Sequence, residues 1–512
     1  MDTKVAHERV NAMSLRSRPG HKKATFLLLG MAIASCRSAP APVGNVIPVG
    51  LRASTPVEVW LTTPDERSLL AQQPSTALGY NVVSGRVVQV IEVNEDSTYQ
   101  SMIGFGAAMT DASAQLIQNR MSAQQRERLI QDLFSRDSGI GLSFVRVPMG
   151  ASDFSTRHYS YDDVPKGQTD STLQHFSIAP DRTEKLPVLR RALAINPQLT
   201  VMASPWSAPG WMKTTDSLYK GTLRRRFYES FANYFVKFVA AYAGEGVPVR
   251  AITLQNEPAF EPDNYPGMRL DPSARAEIVA KYLGPAFQRN GDRTLIWDWD
   301  HNWDLPQQPL DVLKDSVARR YIQGVAWHCY NGDVSAQSKV HDAYPQKDVY
   351  FTECSGGEWS PKFADNLKWI TQTLVIGAPR NWARGVLLWN LALDEKYGPH
   401  LGGCGNCRGV VTVNSRTGEY TRNVEYYALG HASKFVLPGA VRVASSTRDT
   451  TLVSVAYQNP DRSRVVIALN LADKSAEIGI VWKNPTGRPA DITNESVNFT
   501  LPAGAVVTFR WK

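Results

Sequence analysis

Past residue 36 the sequence holds no apolar run long enough to cross a bilayer as a helix, so the body of the chain is not read as a transmembrane protein. It also lacks any Lys/Arg-rich run after its first residues, which leaves no electrostatic footprint of a nucleic-acid binder. No internal repeat recurs at a fixed period, which excludes a solenoid. No G-x-G-x-x-G follows the first strand-like run of the helix–strand region, which argues against a dinucleotide-binding sheet. Cysteine is scarce, five in 512 residues. What remains is ordinary globular composition, 43% hydrophobic and 20% charged, with 13 Trp and 19 Tyr. That length suits two or three domains, or one large barrel with an accessory domain.

The first residues read as a targeting segment. Basic "RSRPGHKK" precedes the apolar "ATFLLLGMAIAS", which has the length of a signal-peptide core. It ends in "IASC", residues 33–36, which resembles a bacterial lipoprotein lipobox with Cys36 as the lipidated residue. An ordinary cleaved signal peptide is the alternative, and Met13 is a candidate start. Residues 1–35 hold six cations against Asp2 and Glu8, so this segment supplies half of the net charge of +8. The expected location is the bacterial cell envelope, with membrane attachment through Cys36, or secretion if the lipobox is not used.

Four cysteines remain: Cys329, Cys354, Cys404 and Cys407. In an oxidising compartment Cys404 and Cys407 of "GGCGNCRG" are placed to form a tight disulfide. A zinc site needs four ligands, and only His400 stands nearby as a third. No metal is therefore expected. Cys354 is read as a lone packed residue, and neither His328 nor Cys329 is given a catalytic role.

Residues 36–55, rich in Pro and small side chains, read as a tether. Residues 56–97 hold short alternating runs, "VEVWLTT" and "RVVQVIEV", read as strands. From 98 to 431 β-prone runs alternate with helical stretches: "LSFVRVPMG", "QLTVMASPW", "VRAITLQNEP", "RTLIWDWD", "IQGVAWHCY", "DVYFTEC" and "ARGVLLWNL", with a further strand near "SMIGFGAAM". Eight such units predict a closed parallel (β/α)8 barrel, an α/β fold. Residues 432–512 return to alternating strands. They predict an antiparallel β-sandwich completed by 56–97, with the barrel inserted between its two pieces.

Barrel enzymes carry catalytic groups at the C-terminal ends of their strands. The polar residues there are Arg146, Asp153, Trp206, Asn256, Glu257, Asp298, Asp300, His328, Tyr330, Glu353, Trp389 and Asn390. Glu257 and Glu353 stand out. Each closes an apolar strand and precedes a turn, and about three βα units separate them. Glycoside cleavage needs such a pair, one acid to protonate the leaving oxygen and one carboxylate to attack or to activate water. The plainer reading is two solvated acids at loop starts. Matched positions with amide and aromatic neighbours favour function. One difficulty attaches to Glu257: in a regular strand Asn256 and Glu257 face opposite sides, so the strand must twist or break near Pro258 for both to serve one site.

"QNEP" (255–258) with "FTE" (351–353) resembles the pattern of clan A retaining glycosidases. "GFGAAMTDASA", "RVPMGASDFS", "MASPWSAPGWMK", "YFVKFVAAYA", "LLWNLAL" and "ALGHASKFV" narrow the resemblance to glycoside hydrolase family 30, in particular its glucosylceramidase branch. It runs from about residue 80 to the C-terminus. The resemblance implies that Glu257 is the acid/base and Glu353 the nucleophile. It implies that Asn256 holds the sugar 2-hydroxyl, and that Asp153, Trp206 and Trp389 grip glucose. Tyr330 would stand beside the nucleophile and Arg146 beneath it. Trp206 and Trp389 as core packing, and Arg146 as an interior ion-pair partner, remain the alternatives. No cofactor is implied. The expected reaction retains configuration through a glucosyl-Glu353 intermediate, with Glu353 raising the pKa of Glu257 and Arg146 keeping Glu353 ionised. The loops after Glu353 and Trp389 diverge from the lysosomal branch. Glucosylceramide and a related β-glucoside are therefore set against β-1,6-glucan as substrates. A surface lipoprotein that binds glycans without cleaving them is the reading from another class.

Overall fold

The computed structural model describes residues 56–77, 79–80, 89–447, 449–483 and 494–512. Residues 1–55, and with them the signal segment, Cys36 and the tether, lie outside the described residues.

Eight parallel strands close into a barrel in chain order. They are β1 (Gly104–Ala108), β2 (Phe144–Met149), β3 (Thr200–Pro205), β4 (Ala251–Thr253), β5 (Leu295–Asn302), β6 (Ile322–His328), β7 (Asp348–Glu353) and β8 (Ala383–Asn390). Each coincides with one of the apolar runs picked out above. Continuous apolar sequence is what a parallel strand needs, because its inner face meets the barrel core and its outer face meets helices.

The barrel interior is layered by strand alternation. Phe144, Met202, Ala251, Trp297, Tyr350 and Leu387 form one buried apolar plug. Trp297 and Tyr350 stack there with centroids 3.6 Å apart, and Phe144 meets Trp297 edge-on. Burying each large side chain contributes about 2–3 kcal/mol. Two residues further along their strands, Arg146, Ser204, Thr253, Thr352 and Trp389 share the inward phase. The next layer up is therefore polar and aromatic, at the mouth where the strands end.

Three positions depart from this alternation. In β5, Trp297 faces inward, so Trp299 should follow and Asp300 should face out. Trp299 (φ 77°) and Asp300 (φ 58°) instead adopt left-handed backbone, and Trp299 joins the outer core while Asp300 turns in. In β7, Thr352 has the inward phase and Glu353 should face out. The β6–β7 register slips there: Trp327 pairs with Phe351, but His328 pairs with Glu353. In β4, pairing ends at Thr253, well before Glu257, and Glu257 itself is left-handed at φ 49°. That answers the difficulty over Asn256 and Glu257: the strand stops early and one strained residue re-aims the side chain.

The sequence motifs at the β1 and β8 ends interlock. Thr110 caps the helix Asp111–Asn119 by accepting from the Ser113 N–H, and its hydroxyl donates to Asn390 Oδ1 at 2.8 Å. Ser113 Oγ donates to the Ala392 carbonyl and accepts from the Ala392 N–H.

Apart from two small sheets of two and three strands, the other described strands form one ten-stranded sheet that holds its own apolar core, including Val57, Val93, Ile480, Trp482 and Phe509. Pro56–Thr62 pairs with the C-terminal strand Val506–Trp511, so N- and C-terminal segments do build one β-domain. One pairing departs from the antiparallel expectation: Gln89–Ser101 runs parallel to Ala476–Lys483. Its other neighbour, Val441–Thr447, is antiparallel. The strand leaving the sheet for the barrel must point toward β1, and that direction sets its sense against Ala476–Lys483. His431 fastens the sheet to the barrel, bonded to Thr62 and Thr508 hydroxyls at 2.8 Å each. Burial depresses its pKa to about 3 and keeps it neutral.

Candidate active site

Arg146, wholly buried on β2, is the hinge of the polar layer. One guanidinium nitrogen donates to Glu353 Oε2, and the other donates to Asn256 Oδ1 at 2.7 Å and Asp300 Oδ2 at 2.8 Å. Its face lies 4.7 Å from the Trp206 ring centroid, a cation–π contact. Because Arg146 claims the Asn256 carbonyl oxygen, the amide NH2 is the end left to donate to a ligand.

Asp300 collects five donors. Oδ2 accepts from Arg146, Ser204 and Thr253, and Oδ1 accepts from His328 Nε2 at 3.0 Å and Thr352 at 2.7 Å. Burial would raise its pKa, but Arg146, His328 and these hydrogen bonds hold it far below the ordinary carboxylate range. Its carbonyl also accepts from the Glu257 N–H at 3.0 Å. Asp300 thus ties the holder of one glutamate to the holder of the other. It was among the strand-tip residues in the sequence, but nothing there marked it as the hub.

Glu353 also accepts from the Tyr330 hydroxyl, at 2.9 Å on Oε1. Glu257 Oε1 lies 3.1 Å from His328 Nδ1 and 3.8 Å from His301 Nε2. The two glutamates and His328 each bring one atom within 4.8 Å of the others. That places a Glu257 oxygen within 4.8 Å of a Glu353 oxygen, close to the roughly 5–5.5 Å of retaining glycosidases and short of the roughly 6.5–9.5 Å of inverting ones. A cation fits this trio poorly, because Arg146 and His328 already bring positive charge to both carboxylates.

The electrostatics correct one expectation. Glu353 was expected to raise the pKa of Glu257. Burial does push Glu257 up, but the His301 and His328 imidazoles outweigh it and hold the group below the ordinary glutamate value. Burial drives Glu353 upward, and Glu257 adds to the rise against the pull of His328 and Arg146. Against its own burial, Glu353, Asp300 and Glu257 push His328 up to about 9. His328 thus sets a positive charge one hydrogen bond from Glu257.

Trp206 and Trp389 stack 4.9 Å apart and are nearly buried, packed with Phe154, Ala108, Leu393 and Tyr265. They form the wall of the site and its packing at once. Asp153 sits beside them, pushed up to about 8 by burial and by Glu353. The segment after β8 closes over it. The Leu401 N–H donates to its carbonyl, and a disulfide joins Cys404 to Cys407. Gly403 (φ 63°) lies so close that a Cβ there would stand 2.4 Å from the Asp153 side chain.

Two features escaped the sequence reading. Tyr265, in the loop after Glu257, packs against the Trp206–Trp389 cluster, and burial together with the charges of Asp153, Glu257 and Glu353 raises its pKa. And Cys354 is not a lone packed thiol: it is bonded to Cys329. The signal was present, since both cysteines directly follow the tips of neighbouring barrel strands.

A barrel with two glutamates this close at the C-terminal ends of its strands is the construction of a retaining glycoside hydrolase. Residues 102–436 match the model of the glycosyl hydrolase family 30 TIM-barrel domain, and residues 439–509 match that family's beta-sandwich domain. The chain belongs to glycosyl hydrolase family 30. It is 35% identical over 430 residues to the endo-1,6-beta-D-glucanase neg1 of Aspergillus fumigatus, spanning 79% of this chain and 86% of that protein. To the lysosomal acid glucosylceramidase of Mus musculus it is 31% identical over 429 residues, 76% of this chain and 79% of the mouse protein. Among solved structures, the endo-beta1,6-glucanase BT3312 superposes with a TM-score of 0.80 at 31% identity, covering 89% of this chain and 99% of that one.

Proposed function

We propose that this retaining β-glucoside hydrolase cleaves β-1,6-linked glucan, with Glu353 as nucleophile and Glu257 as acid/base. The observation that carries the roles is the asymmetric support of the two carboxylates. Glu353 is gripped by Arg146 and Tyr330, as an attacking carboxylate must be. Glu257 instead faces the His328 and His301 rings. In the first step a Glu353 oxygen bonds to the anomeric carbon as the glycosidic bond breaks. Glu257, protonated in the reacting complex, gives its proton to the leaving oxygen. In the second step Glu257 takes a proton from water, which displaces Glu353 and frees the sugar. The Asn256 amide is aimed to donate to the 2-hydroxyl, and Asp153 with the two indoles borders the glucose ring.

The leaving group is argued from kinship. Fungal proteins named endo-1,6-beta-D-glucanases are 34–36% identical to this chain, whereas those named glucosylceramidases are 29–31% identical. Glucosylceramide is the second reading, supported by the mouse relative. Side-by-side assays of soluble β-1,6-glucan and detergent-dispersed glucosylceramide decide between them. The expected result is release of reducing ends from the glucan at a far higher kcat/KM. Cleavage of the lipid alone would overturn the substrate assignment.

The proposal extends to location. A lipid anchor at Cys36 would hold the enzyme in the bacterial cell envelope, and the two disulfides suit an oxidising compartment. Cells producing wild-type protein should incorporate labelled palmitate into it, and Cys36→Ser should abolish the label. Equal labelling of both would refute the anchor.

A further inference from the structure

The register slip that turns Glu353 inward is followed at once by a covalent bond. β6 ends at His328 and β7 at Glu353, and the next residue of each, Cys329 and Cys354, closes a disulfide. The bridge is therefore the first fixed point beyond an irregular last rung of the ladder. The slip skips Thr352 between the last two rungs, so the final rung is set apart from the regular ladder.

What hangs on that point is the support of the nucleophile. Tyr330, the residue after Cys329, is 45% exposed, and its ring meets that of His328 edge-on with centroids 6.2 Å apart. Its hydroxyl sits 2.9 Å from Glu353 Oε1. Two anchors fix its backbone: the N–H donated to Asn302 Oδ1 at 3.0 Å, and the bridge one residue earlier. On the other side the Cys354 carbonyl accepts from the Trp389 N–H at 2.8 Å, tying the bridge to β8 and the indole wall. His328, the residue before Cys329, reaches both Glu257 and Asp300.

We propose that the Cys329–Cys354 disulfide is a positioning element for the catalytic pair, locking the slipped β6–β7 register so that Tyr330 stays on Glu353 and His328 stays on Glu257. The inference rests on the reading of Glu353 as nucleophile and deepens it. The bridge touches no substrate; it acts through the residues on either side of it. Its effect on titration passes through a defined set of groups. Glu353 is faced by Arg146 from β2, Asp153 from the loop after β2, Glu257 from the loop after β4, Asp300 from β5, and His328 and Tyr330 from β6 and its loop. His328 is faced by Asp300 and His301 from β5, and by Glu257 and Glu353.

The test is the Cys329→Ala/Cys354→Ala variant assayed on β-1,6-glucan and an aryl β-glucoside. A displacement on the order of 1 Å at a reacting group costs up to about a hundredfold, so kcat is expected to fall by about tenfold or more. KM should change less than kcat, because the bridge meets the sugar-binding wall only through the Trp389 backbone N–H. The acidic limb of the kcat/KM profile should move to higher pH as Glu353 loses its Tyr330 donor. Tyr330→Phe should move that limb in the bridged protein and add little in the unbridged one, a coupling that a remote brace would not produce. A bridge that only braces the fold would lower the melting temperature and leave kcat and the limb unmoved; that result overturns the proposal. If the double alanine does not fold, Cys329→Val/Cys354→Val fills the space of the bridge and carries the same test.

A readout independent of activity separates this inference from the functional one. In histidine-labelled protein the His328 ring should titrate at lower pH without the bridge than with it, as its contacts to Glu257 and Asp300 loosen. Wild-type protein inert on every β-glucoside would overturn the function. The clamp would then stand or fall on that titration, and an unchanged His328 would overturn it too.

Discussion

Glu353→Gln is expected to lose about 10^4-fold or more in kcat while keeping its affinity for glucan chains. The amide preserves the shape of the side chain; its oxygen can accept from Arg146 while its NH2 donates to the Tyr330 hydroxyl oxygen, so the site stays built around it. What disappears is the negative oxygen that forms the bond to the anomeric carbon. Arg146 is left with Asp300 as its charged partner, 2.8 Å away, which limits collapse of the layer beneath. Steady-state kinetics and calorimetric titration with a non-hydrolysed oligosaccharide separate the two quantities. Activity within tenfold of wild type would remove Glu353 from its role. Weak binding in variant and wild type alike would point to a different substrate.

Arg146→Met should have the largest effect on stability of any single change at the site. The guanidinium is fully buried and neutralises two carboxylates, Asp300 and Glu353, at 0% and 7% side-chain exposure. Methionine fills much of the same volume beside Trp206 but leaves both charges with His328 as their nearest cation. Removing one partner of a buried ion pair costs about 3–5 kcal/mol. Urea unfolding should register that loss as a lower midpoint with an unchanged slope. Arg146 lowers the pKa of Glu353 against the rise caused by burial. Without it the nucleophile protonates at higher pH, so the acidic limb of kcat/KM should move up in pH. Wild-type stability and an unmoved limb together would show that the guanidinium is not what holds Glu353 ionised.

Much of this molecule was legible in its residues because two simple signals were strong. Runs such as "GVLLWN" and "DVYFTE" are apolar on both faces, which only a buried parallel strand requires, and all eight became barrel strands. The glutamates closing two of them stand where barrels place chemistry. What stayed hidden lay where backbone irregularity overrides alternation. Read with a period of two, "LIWDWD" puts Asp298 and Asp300 on one face. In the fold Asp298 faces outward to Arg275, 2.8 Å away, while Asp300 turns in to Arg146. The left-handed backbone at Trp299 and Asp300 makes the difference, and no local residue preference announces it, since neither is glycine. Glu353 likewise stands one step out of phase, brought in by the register slip, and Asn256, one step out of phase with Thr253, reaches Arg146 only because the β4 pairing has already ended. The protonation pattern was misjudged for a related reason. The expectation counted the two glutamates and Arg146, whereas His301 and His328 stand against Glu257 and reverse the sign of its shift. The parallel pairing of Gln89–Ser101 with Ala476–Lys483 could not be read from strand patterns, which carry no direction.

The distance between the two carboxylates and the unequal support around them make one central claim: hydrolysis proceeds by double displacement through a covalent glucosyl-Glu353 intermediate. Anomer-resolved proton NMR of the first sugar released from a β-glucoside, recorded before mutarotation, tests it most directly. The account predicts that the β-anomer appears first and the α-anomer grows in only as the solution equilibrates. Initial release of the α-anomer would mean a single inverting displacement by water, and would contradict the assignment of Glu353 as nucleophile.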